Sequence, residues 1–127
     1  MEEAPKPGSI VHIEFPVKDA ERAKKFYGDL FGWTFQDLPE MNYTLFEASN
    51  GPGGGLFVPQ EGQWAPEGAV NYILVEDIDA KSKEIEAAGG KILQPTTEVP
   101  GQGWTAVFED PEGVTMALWK SAPQQEE

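Results

Sequence analysis

The stretch Ile10-Val11-His12-Ile13-Glu14-Phe15-Pro16-Val17 decides the fold. Side chains alternate faces along a strand, so Val11, Ile13, Phe15 and Val17 share one apolar face. His12 and Glu14 share the other, which holds the only histidine of the chain beside a carboxylate. Whatever chemistry the protein performs is expected near His12. After this strand, Asp19 is placed to cap a helix in which Ala23, Phe26, Tyr27 and Leu30 lie on one side, and Gly32 is placed to end it. Residues 33–38 read as an edge strand, 43–48 as a third strand and 54–58 as a glycine-rich fourth, with a turn at 49–53. The unit is βαβββ.

Residues 59–68 are rich in proline and glycine and read as a linker, after which the unit recurs. Residues 70–75 form its first strand, 77–88 its helix, and 91–93, 104–108 and 114–119 its remaining strands. Gly32 matches Gly89, Tyr43-Thr44 matches Trp104-Thr105, and His12 matches Asn71. Two such units cannot each close a core alone. The expected fold class is α+β: two tandem βαβββ modules forming a curved eight-stranded sheet around a cleft, with helices on the convex face. His12 and Glu14 then face the cleft.

Composition narrows the function. The chain has 127 residues, enough for one domain with a real core. With no cysteine, disulfides, thiolate nucleophiles and cysteine metal sites are excluded. No apolar run approaches the roughly 20 residues of a membrane span. The first eight residues are acidic, proline-rich and polar, unlike a signal peptide, so a cytoplasmic location is expected. Nine basic against 22 acidic residues give a net charge of −13, which repels nucleic acid and anionic membranes and favours a cationic ligand. Residues 53–55 are three glycines but lack the Lys-Ser/Thr end and following helix of a phosphate loop.

The order of Phe26-Tyr27-Gly28-Asp29-Leu30-Phe31-Gly32-Trp33, Val75-Glu76-Asp77-Ile78-Asp79-Ala80, Gly89-Gly90-Lys91-Ile92 and Asp110-Pro111-Glu112-Gly113 resembles the vicinal oxygen chelate superfamily, which includes glyoxalase I, bleomycin resistance proteins and extradiol dioxygenases. The resemblance implies a single glyoxalase-like domain over 9–120, with module one at 9–58, the linker at 59–68 and module two at 69–120; residues 1–8 and 121–127, rich in Pro, Glu and Gln, read as flexible ends. In metal-dependent members, the first and last strands of each module each supply one ligand. Carried onto this chain, those positions fall on His12, Gly55 (or Leu56 if the register slips by one), Asn71 and Ala117. Gly55 and Ala117 offer no side-chain donor, and the Asn71 amide is a poor one for a transition metal. No metal and no cofactor are therefore expected. A misread register would instead turn Glu47, Glu109 or another carboxylate inward to complete the site of a metal-dependent lyase or dioxygenase.

The remaining residues support two readings. His12 and Glu14, two apart on one strand face, form an acid–base pair able to move a proton beside a carbonyl. Alternatively, His12 is a family relic that hydrogen-bonds Asn71. Tyr43, Phe57, Trp64, Trp104 and Trp119 supply aromatic walls, and with Gly55, Asn71 and Ala117 they complete a ligand-binding cleft. The function expected is that of a small-molecule-binding, glyoxalase- or bleomycin-resistance-like protein with a degenerate metal site. The competing function is a glyoxalase-like lyase or isomerase using His12 and Glu14. The partners expected are a cationic or aromatic small molecule and a second copy in a homodimer.

Overall fold

The computed structural model describes residues 5–62 and 65–123. The elements come in the expected order: β1 (Ile10–Pro16), α1 (Ala20–Phe31), β2 (Thr34–Leu38), a short 3-10 turn (Pro39–Met41), β3 (Tyr43–Glu47), β4 (Gly54–Phe57), β5 (Val70–Leu74), α2 (Ile78–Ala87), β6 (Lys91–Val99), β7 (Gly103–Glu109) and β8 (Thr115–Ser121). Eight strands of mixed sheet and two helices give the α+β, twice-βαβββ architecture. The chain divides into two compact units. One is Val11–Asn71. The other combines the segment ending at Ile10 with the C-terminal half of the chain from Tyr72 onward.

In the unit Val11–Asn71 the strand order is β2-β3-β4-β1. β1 runs parallel to β4, and β3 is antiparallel to both β2 and β4. Helix α1 starts where Asp19 accepts a hydrogen bond from the Arg22 N–H at 3.1 Å, and it stops at Gly32, whose φ of 75° suits glycine. The apolar face of β1 packs through Phe15, which stacks on Tyr27, Trp33 and Phe46 at centroid separations of 6.2, 6.4 and 5.6 Å. Trp33 completes the layer, 4.5 Å from Phe46 and 4.7 Å from Tyr27. The expected facing of β1 therefore holds: Phe15 turns to the helix, and His12 and Glu14 turn away. A Cβ on Gly54 would run into the Ile13 carbonyl, so the parallel pairing of β1 and β4 requires glycine there.

In the second unit the order is β5-β8-β7-β6. Its core is Val75, Ile78, Ala106, Phe108 and Leu118, with Ile73, Ile85, Ile92, Trp104 and Met116 packed against it. The segment before β1 runs beside β5 here, with Gly8 N–H to Leu74 O at 2.8 Å and Leu74 N–H to Ser9 O at 2.9 Å. Asp77 caps α2 through the Ala80 N–H at 3.0 Å, as Asp19 caps α1.

Two details differ from the sequence reading. Strand β6 continues past Leu93 to Val99, because register shifts between Ile92 and Thr97 absorb Pro95, which cannot donate to a regular ladder. The second difference is the repeat register. The caps Asp19 and Asp77, and the core-facing pair Phe15 and Ile73, align the modules so that Ile13 matches Asn71 and Glu14 matches Tyr72. Asn71 lies two residues before Ile73 and so shares its core-facing side. It is not the counterpart of His12.

Candidate functional site

The polar residues of β1 meet on the sheet face turned away from α1. Strand register sets Glu14 beside Gly55 and Gly55 beside Leu45, with Pro16, Phe57 and Tyr43 forming the next row. Tyr43 leans out of its own row and across β4. The three atoms nearest to a Cβ built on Gly55 all belong to the Tyr43 side chain, so only glycine leaves the ring this place. The lean carries the phenol from β3 to β1. There the Tyr43 hydroxyl donates to Glu14 Oε2 at 2.8 Å and lies 2.7 Å from His12 Nε2. The two rings run nearly parallel, 10° apart with centroids separated by 6.3 Å.

A hydroxyl has one hydrogen to give. With that hydrogen on Glu14, the phenolic oxygen accepts from His12, so Nε2 carries a proton. Burial pushes the His12 imidazole below its ordinary pKa, which favours the neutral ring. The site is therefore an ordered chain from imidazole N–H to phenol to carboxylate, and all three side chains are half-buried. His12 bonds Tyr43, a residue expected only as an aromatic wall.

The other expected site residues fall in several places. Phe57 is the cross-strand partner of Tyr43 on the same face. A cavity of ≈ 320 Å³ opens beside these two residues, with Ala20, Asp37, Thr44 and Leu56 among its walls. Trp104 packs against the core of its unit, under Lys120 Nζ at 5.8 Å from the ring centroid, because even-numbered residues of β7 face the core. Ala117 has no exposed surface and pairs with Tyr72 and Val107. Trp119 lies opposite Thr105 and donates its indole N–H to Ser121 Oγ at 2.9 Å. Trp64 lies outside the described residues.

The donor set does not suit a transition metal, which takes three or more protein ligands. Among the described residues no three His, Asp or Glu side chains gather into such a group. His12 and Glu14 are tied to one phenol, and the space over Gly55 is filled by its ring. Neither Glu47 nor Glu109 joins them in a metal-holding group.

The sequence profile of the Glyoxalase/Bleomycin resistance protein/Dioxygenase superfamily matches residues 9–118, and the chain belongs to that superfamily. A glyoxylase-like domain-containing protein of Didymella fabae is 36% identical over 123 residues, covering 87% of this chain and 92% of that protein. CFP32 of Mycobacterium bovis, whose name assigns it provisionally to the glyoxylases, is 30% identical over 117 residues, 86% of this chain and 44% of its own. The anthracycline biosynthesis protein DnrV of Streptomyces peucetius is 29% identical over 136 residues, 90% of this chain and 47% of its own. The chain thus spans less than half the length of several curated relatives. Among solved structures, the hypothetical protein BH1468 of Bacillus halodurans superposes with a TM-score of 0.74 at 18% identity, covering 96% of this chain and 100% of that one. Methylmalonyl-CoA epimerase of Mycobacterium tuberculosis superposes at 0.72 and 16% identity, covering 97% and 94%. At these identities the structures speak for the fold alone.

Proposed function

We propose that this domain binds a small molecule without a metal, using the His12–Tyr43–Glu14 chain as its polar anchor and Phe57 with the Tyr43 ring as its apolar wall. The observation that carries this reading is the phenol joined to both polar residues of β1. The anchor ends in a carboxylate, and the whole chain carries a charge of −13. Both features favour a neutral or cationic ligand that donates hydrogen bonds, such as an amine or a polyol, over a dicarboxylate or phosphate.

A thermal-shift panel of aromatic amines, polyols and dicarboxylates tests it. A ligand at about ten times its Kd stabilises by about 1.4 kcal/mol, a few degrees in Tm. Amines or polyols are expected to raise Tm in wild type, and Glu14→Gln is expected to abolish the shift given by amines. Stabilisation by the dicarboxylates instead would contradict the reading.

A second reading is a metal-independent acid–base enzyme acting beside a carbonyl, favoured by the ordered proton chain. His12→Ala separates the two. Binding should weaken modestly, whereas acid–base turnover should fall by about 100-fold or more.

A further inference from the structure

We propose that the cavity at the first turn of α1 is a second binding site, on the opposite side of the sheet from His12, and that it takes a small alkylamine in its cationic form. It is independent of the metal-free reading of the His12 site.

The two modules build the same corner of the fold from different residues. The caps Asp19 and Asp77 align Ala20 with Ile78. Strand register aligns Leu56 with Leu118, through their partners Phe15 and Ile73, and it aligns Thr44 with Ala106. In the second module Ile78 is 3% exposed and packs in one cluster with Ala106 and Leu118. In the first, Ala20 is too short to fill that corner, and a cavity of ≈ 320 Å³ lined by Ala20, Thr44 and Leu56 remains. The strand partner of Leu56 is Phe15, which stacks on Tyr27 of α1, so this wall belongs to the helix side. His12 and Glu14 lie on the other side. The volume is at the small end of ligand sites, which span about 300–1,000 Å³.

The cavity has one polar end. Thr44 is 5% exposed, where its counterpart is the apolar Ala106, and its hydroxyl donates to Asp37 Oδ1 at 2.9 Å. Lys24 donates to the same carboxylate, 3.1 Å from Oδ1 and 2.9 Å from Oδ2, and pairs with Glu21 at 2.8 Å. Lys24, and after it Thr44, hold the Asp37 carboxyl below its ordinary pKa, so it is ionised at neutral pH. One ammonium therefore serves two carboxylates. Among the described residues Oδ2 accepts only from Lys24, which leaves it room for a second donor. Asp19 and Glu21 offset the positive end of α1. An ammonium ligand finds both a charge and an acceptor here, with its alkyl part on Leu56 and Ala20, whereas a carboxylate ligand meets repulsion.

Butylamine and butyrate, each titrated into nitrogen-labelled protein at neutral pH, test this through backbone amide shifts. Butylamine should give saturable shifts at Ala20, Asp37, Thr44 and Leu56, and butyrate none there. Ala20→Ile, which copies the second module, should weaken this binding about 10-fold or more by filling the space. Asp37→Asn keeps the shape and should weaken it about 10-fold. Should Ala20→Ile fold poorly, Asp37→Asn alone decides. Glu14→Gln, on the other side of the sheet, should leave these shifts in place, so a failure of the His12 site is read separately. Absence of saturable shifts at these four residues, equal shifts with butyrate, or undiminished binding in either cavity variant would overturn the proposal.

Discussion

The ring of Tyr43 occupies the space that a side chain on Gly55 would need. Position 43 and position 55 are therefore one decision made twice. A glycine on β4 weakens its strand, and here the weakness admits a side chain from β3 to the polar groups of β1.

This coupling is measurable by denaturation. Gly55→Ala is expected to cost about 1–3 kcal/mol through overpacking. In a Tyr43→Ala background the same change should cost much less, giving a coupling energy of about 1 kcal/mol or more. Equal costs in the two backgrounds would show that the ring does not fill that space.

Burial lowers the His12 pKa below its ordinary 6.5, which fixes a sign for the pH dependence. The unfolded chain then binds more protons than the folded one as pH falls below 6.5. Stability contributed by the neutral ring is present above that value, and it is lost as pH drops toward the lower folded pKa. Unfolding curves above and below this window should show the loss in wild type and a smaller one in His12→Gln. An NMR titration midpoint above 6.5 would contradict the assignment.

Asp19 and Asp77 hold equivalent caps, each accepting from a backbone N–H three residues on. Alanine at either position should cost about 1 kcal/mol, while asparagine should cost a few tenths or nothing, because it caps equally well. Urea titrations of the four variants check this. A full loss with asparagine would mean that the carboxylate charge, rather than the cap bond, matters.

Trp104 packs with the core of its unit, so its removal is a stability event. Trp104→Ala should cost about 2–4 kcal/mol. At a temperature where the variant remains folded, ligands that shift wild type should still bind it. Loss of binding with unchanged stability would return Trp104 to the site.

The legible part of the fold is local. Alternation along Ile10–Pro16, the Asp19 cap and the Gly32 stop each act within a few residues, and each stands in the structure as read. The repeat register is harder. Matching His12 to Asn71 is off by one, and a one-residue slip moves a side chain to the opposite face. The caps carry the correct spacing, because Asp19 and Asp77 fix where each first strand must end. The part of the site that cannot be read is the Tyr43 bridge. It joins three strands, and nothing periodic in the sequence announces that a tyrosine on one will lean across a glycine on the next. A glycine in the middle of a strand is the only signal, and it says that something approaches closely without saying what.

A polar face of β1 organised by a phenol should work without a metal, and elemental analysis can decide this. The purified protein is analysed after mild dialysis with no chelator present. We expect substoichiometric zinc, nickel, iron and manganese, with any magnesium or calcium on surface carboxylates washing out. Close to one equivalent of a transition metal per chain would contradict this, since His12, Glu14 and further donors would then have to leave Tyr43 and gather around the ion.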